Sequence, residues 1–198
     1  MPKGRLEAFS DGVIAILITI MVLELHIPAG TSWHALGHEL PAILAYVLSF
    51  VYLGIYWNNH HHMMAAVSRV SGAVLWANLH LLFWLSLIPF CTAWMSEHRF
   101  PSIPTAVYGI GLLAAAIAYY ILQTALLRAE GEHSRLRVAL GSDVKGKVSP
   151  LLYCLGIGLA FANRWLGLAM YVAVALIWLV PDRRVERHLT TAPAEPSE

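Results

Sequence analysis

Most of the polar and ionisable side chains that could do chemistry here stand inside apolar runs. Glu7, Ser10, Asp11 and Glu24 belong to the first run, "RLEAFSDGVIAILITIMVLELHIP". His60, His61 and His62 close the second, and Asn78 and His80 stand in the third. Hydrolysis is the first chemistry to test. Consecutive helical residues diverge by about 100°, so adjacent Ser10 and Asp11 cannot both address one His in triad order. No Gly-x-Ser-x-Gly elbow occurs either. Metal binding is the second. Three adjacent histidines diverge by the same angle, whereas helical metal pairs use i, i+3 or i, i+4 spacing. A second polar helix with matching ligands is missing, so neither a metal nor a cofactor is expected, and the chain does not read as an enzyme. The third chemistry is support or passage of ions, because an ionisable group at membrane depth is costly and usually has a task. Asp11 is expected to be a buried, hydrogen-bonded brace, with direct ion contact as the alternative. A proton-coupled secondary transporter using Asp11 or Glu24 is the competing function.

These residues need elements to position them, and the composition says which. Hydrophobic residues make up 58% of the 198 residues and charged ones 13%, with a mean hydropathy of +0.62. Soluble domains lie near 45–50% apolar and about 25% charged. The chain therefore reads as an all-α integral membrane protein. A net charge of +1 gives no reason to expect nucleic acid. Cys91 and Cys154 both lie in apolar runs, unlike a disulfide framework or a zinc spacing. The N-terminus lacks a cleavable signal pattern, so the first helix is expected to be retained.

About 20 residues cross a 30 Å hydrocarbon core, and six candidate spans follow: roughly 5–27, 35–64, 68–97, 103–128, 149–163 and 165–180. The last two are short and joined by a tight "NRW" hairpin. Six spans place both termini on one side, with eleven of the thirteen Lys and Arg; only Arg99 and Arg164 fall on the other. The positive-inside rule makes that side cytoplasmic. Residues 1–183 thus form one membrane domain, and 184–198 a short cytoplasmic tail, polar, Pro-rich and disordered at its end. Gly111, Ala115 and Ala118, and Gly156 and Ala160, would permit close helix packing. Tyr56 and Trp57 fit an interfacial aromatic belt, and the histidines after them an interfacial cap with one ring turned inward.

Within the first span, Asp11 points about 140° and Ser10 about 120° away from Ile16. Ile16, Thr19, Ile20 and Leu23 share a separate face. Periodicity alone cannot say whether that face meets lipid or lines a pore, since both are apolar.

Arg5-x-x-x-Phe9-Ser10-Asp11 resembles the signature of the transmembrane protein 175 family, the lysosomal potassium channels and their prokaryotic relatives. "IYWNNHH" is similar to its Trp-x-x-His element, mapping Trp57 and His60. "WANLHLLFWLSLIPF" is similar to its Asn-bearing third helix, mapping Asn78 and Pro89. The motifs cover residues 5–97, and the remainder agrees by topology. The resemblance implies a potassium-permeable channel of modest selectivity, without the Thr-Val-Gly-Tyr-Gly filter, which is absent here. It implies that the first helix lines a central pore, with Ile16 at the narrowest ring, Thr19 linked to potassium preference, and Ile20 and Leu23 in further layers. Arg5, Phe9, Ser10, Asp11, Trp57, His60 and Asn78 become the structural and gating motif. Arg5, Ser10 and Asp11 would brace the inner end of the first helix through Trp57, His60 and Asn78. One motif copy implies the single-repeat prokaryotic form: a multi-pass homotetramer in the plasma membrane, with potassium ions and membrane lipids as its partners.

Overall fold

The computed structural model describes residues 2–131, 136–137 and 144–179, and helix is the only regular structure among them. Its elements are α1 (Lys3–Leu23), α2 (Trp33–Ala65), α3 (Gly72–Ser86), α4 (Ile88–Glu97), α5 (Ser102–Glu130), α6 (Val144–Ala162) and α7 (Arg164–Leu179). Hydrocarbon offers no partner to the backbone, so a helix, which satisfies its own N–H and C=O groups, is the local solution. Four stretches are long and apolar enough to cross a membrane: Lys3–Leu23, Trp33–Ala65, Gly72–Glu97 and Ser102–Glu130; Arg164–Leu179 is apolar but shorter. The tail beyond residue 179 and most of the loop before α6 lie outside the described residues.

Local chemistry sets the ends. Ser32 caps α2 by accepting from the Ala35 N–H at 3.2 Å, and Ser71 caps α3 by accepting from Val74 at 3.3 Å. Gly131 closes α5 at φ 89, a backbone region glycine enters freely. The expected 5–27 span is shorter in fact, because α1 stops at Leu23 ahead of Pro28. The expected 68–97 span starts only at Gly72 and is interrupted at Leu87, since Pro89 has no N–H to continue the ladder. α6 starts at Val144, five residues before the expected 149, and so takes Lys145 and Lys147 into the helix. The hairpin at Asn163 is as tight as the sequence suggests, with Asn163 Oδ1 accepting from the Trp165 N–H at 2.9 Å.

α1 packs on α2 and α3 at one flank, α5 lies against α3, α4 and α6, and the α6–α7 hairpin closes the opposite flank. A buried tyrosine cluster fills the middle. Tyr52 donates to the Tyr171 carbonyl at 2.6 Å, and Tyr108 lies 5.9 Å from the Tyr171 ring. The hairpin depends on missing side chains. A Cβ on Gly167 would stand 2.8 Å from the Gly156 carbonyl oxygen and 2.9 Å from the Ala160 Cβ. Two of the small residues noted in the sequence, Gly156 and Ala160, therefore do allow helices to touch.

Gly167→Val should force α6 and α7 apart. Overpacking of this kind destabilises by about 1–3 kcal/mol, read as a lower thermal midpoint in detergent. Gly158→Ala, which meets open space in a helix interior, should not lower the midpoint and should raise it slightly.

Candidate ion-conduction site

Ser10 sits on the buried side of α1 with Leu6, Ile14, Leu17 and Met21. Its hydroxyl donates to the Leu6 carbonyl at 2.8 Å. A hydroxyl has one proton, so toward Asn78 it can only accept. Asn78 Nδ2 accordingly donates to Ser10 Oγ at 2.9 Å. That turns Asn78 Oδ1 toward His60 Nε2 at 2.8 Å, and the imidazole must carry its proton on this nitrogen. Ser10 and Asn78 are 0% exposed and His60 1%. The chain of bonds thus ties α1 to α3 and α3 to α2 where water cannot compete.

Asp11, the next residue, reaches the other way. Its Oδ1 accepts from Trp57 Nε1 at 3.0 Å, three residues before His60 on α2. Asp11 is half-buried and Trp57 46% exposed. The carboxylate therefore has a neutral donor at a partly wet site, not the fully buried position expected for a brace. The three histidines diverge: His60 is buried, while His61 is exposed and stacks on the Trp57 ring at 6.4 Å. Ser10, Asp11, Trp57, His60 and Asn78 are thus brought together. Arg5 and Phe9 are not; both are exposed on α1, and Arg5 makes no side-chain bond among the described residues. Glu24 is the exposed cap at the far end of α1.

Ile16, Thr19, Ile20 and Leu23 occupy the opposite side of α1. They are exposed, Ile16 by 57% and Leu23 by 79%. Thr19 donates to the Ile16 carbonyl at 2.9 Å and also lies 3.1 Å from that of Ala15. Its one proton is held by its own helix, so its oxygen can only accept from, or coordinate, whatever lies outside. The fold itself does not cover this face.

Sequence reasoning missed a second polar cluster. Thr92 donates to the Ile88 carbonyl at 2.7 Å, which makes it an acceptor for Ser49 at 2.7 Å; Ser49 in turn accepts from Tyr108 at 3.0 Å. These bonds join α2, α4 and α5 just beyond the break at Leu87. Glu130 was also missed: it accepts from the Ser68 and Arg69 N–H groups at 2.6 and 2.7 Å, fastening the end of α5 to the entry of α3. Uncharged Ser, Thr and Tyr in apolar runs give no distinctive signal, and Glu130 reads as an ordinary loop charge.

The two branches of the clasp differ in what substitution does. Asn78→Leu orphans the buried His60 N–H, at a cost of about 1–3 kcal/mol, and should lower the thermal midpoint and the yield of assembled protein. Asp11→Asn keeps an acceptor for Trp57 and should change the midpoint far less. Equal losses in the two variants would show that the buried branch does not hold α1.

Comparison with known proteins bears on this geometry. Residues 5–89, which contain both branches and the exposed face of α1, match the family described as "Endosomal/lysosomal potassium channel TMEM175". A potassium channel of Chryseobacterium sp. (strain P1-3) is 55% identical over 189 residues, 96% of this chain and 98% of that protein. A potassium channel of Streptomyces collinus is 37% identical, covering 89% of this chain and 91% of that protein. Among solved structures, a lysosomal potassium-selective channel TMEM175 homolog from Chamaesiphon minutus superposes with a TM-score of 0.74 at 29% identity, over 92% of this chain and 97% of that one. With identity this high over nearly the whole length, the chain belongs to the TMEM175 family of membrane channels.

Proposed function

We propose that the protein is a potassium-permeable channel in which the first helices of four copies surround a central path. The observation that carries this reading is the uncovered face of α1, Ile16, Thr19, Ile20 and Leu23, in a chain whose relatives are named potassium channels. One pore-facing helix per copy needs several copies around an axis, and homo-oligomers close by cyclic symmetry. Six crossings, with α3 and α4 as one and α6 and α7 as two short ones, put both termini on the side richer in Lys and Arg, the cytoplasmic side. The bacterial sources of the relatives support the plasma membrane as its place.

A ring of Ile16 side chains closes such a path by expelling water, and conduction requires a widening that lets water return. Thr19 stands one turn further, where a ring of hydroxyl oxygens can replace part of an ion's hydration. Potassium sheds water more readily than sodium, so the preference is for potassium and is modest, with no carbonyl cage to sharpen it. Asp11 and Ser10, on the far side of the helix, set its rotation and do not meet the ion.

Single-channel recording of purified protein in lipid bilayers tests this. Wild type should pass potassium better than sodium. Ile16→Asn should hydrate the constriction, raise conductance and weaken the preference. Thr19→Val should keep assembly and lower the potassium-to-sodium ratio. Unchanged conductance and preference in both well-assembled variants would mean that this face meets lipid and that α1 is not the pore.

A further inference from the structure

An open groove of about 760 Å³ runs between α3 and α5. Ala77 and Ala125, too small to fill the space, form its floor; Trp76 and Tyr120, 75% and 61% exposed, stand at its edges. Arg128 lies at one end. It is exposed, with no side-chain hydrogen bond or ion pair among the described residues. The nearby Glu130 carboxylate, bound to the backbone of Ser68 and Arg69, forms no ion pair with it.

Depth identifies the occupant. The Glu130 contact holds the end of α5 beside Ser68 and Arg69, just ahead of α3. At about 1.5 Å per residue, Trp76 lies about 6 Å along α3 from Gly72 and Arg128 about 3 Å from the end of α5, with His80 and Tyr120 about 12 and 15 Å along the same helices. The groove is therefore as long as one leaflet's share of a hydrocarbon core of about 30 Å. Its lining is mostly apolar and aromatic, with Arg128 the one guanidinium at the end near the α5 terminus; of its deeper polar groups, Thr124 donates to the Tyr120 carbonyl and His80 accepts from Trp84. That is the charge and polarity order of a single anionic phospholipid: phosphate, interfacial glycerol, acyl chain.

We propose that this groove is a binding site for an anionic phospholipid of the cytoplasmic leaflet. Arg128 takes the phosphate, since a guanidinium matches its geometry. Trp76, near the Arg128 end, flanks the glycerol, and Tyr120, deeper in the groove, flanks the acyl chain. The proposal rests on the membrane-spanning arrangement given above, and not on which ion passes along α1.

Native mass spectrometry of the intact oligomer in mild detergent, with equal amounts of phosphatidylglycerol and phosphatidylcholine added, tests it. Wild type should retain phosphatidylglycerol about fivefold better, the factor one Arg supplies beside an anionic lipid surface. Arg128→Gln, an exposed change that spares the fold, should abolish the preference. Ala125→Trp should fill the groove and release both lipids with the oligomer intact. Equal retention of the two lipids by wild type, or an undiminished preference in Arg128→Gln, would overturn the site. So would an oligomer that dissociates in Ala125→Trp, which would make a neighbouring copy the occupant. Potassium flux from the same preparations separates the readings: lipid preference without flux would sink the channel and leave the site, and flux without preference the reverse.

Discussion

The single proton of the Ser10 hydroxyl decides how α1 sits. Because it goes to the Leu6 carbonyl, Asn78 must donate to Ser10, and His60 must donate to Asn78. With that proton on Leu6 the chain admits one arrangement, since reversing a single member leaves two donors or two acceptors facing each other in a site without water. Hydrophobicity cannot do this for a helix such as α1, whose sides are nearly all apolar. The polar chain fixes the rotation, and rotation determines that Ile16 and Thr19 face outward while Ile14 and Leu17 face the fold.

The same logic recurs through the molecule. In lipid the usual hydrophobic distinction between inside and outside is lost, and packing and hydrogen bonds decide which helices meet. Ser49, Thr92 and Tyr108 hold α2, α4 and α5 beyond the break at Leu87. Glycine and alanine let α6 and α7 approach, and Glu130 secures the α3–α5 end. α1 makes fewer such attachments than α5, and they concentrate on one side and toward its start. At its far end Met21, 2% exposed, still packs into the core while Leu23 stands 79% exposed.

Much of this was legible in the sequence. Asp11, His60 and Asn78 stood out because polar side chains at those depths need partners, the family resemblance joined Ser10 and Trp57 to them, and the face carrying Ile16 followed from helical angles. The difference in burial between Asp11 and Ser10 was not legible; adjacent residues diverge by about 100°, and only the position of Trp57 decides how much water reaches the carboxylate. The break at Leu87 was not legible: a transmembrane helix can absorb a proline such as Pro89 with a kink, and 68–97 was read as one span. Arg5 looked like part of the same motif but lies exposed outside the clasp, since spacing gives the side of the helix and not the presence of a partner.

The central claim is that the face of α1 turned away from its own fold meets the same face of other copies. Cross-linking in native membranes tests this most directly, in a Cys154→Ser background because Cys154 is exposed while Cys91 is buried. With a short thiol-to-thiol cross-linker, Ile16→Cys should join subunits efficiently, and Leu17→Cys, one residue on and buried against its own chain, should not. Cross-linking absent at Ile16, or equally strong at Leu17, would contradict it.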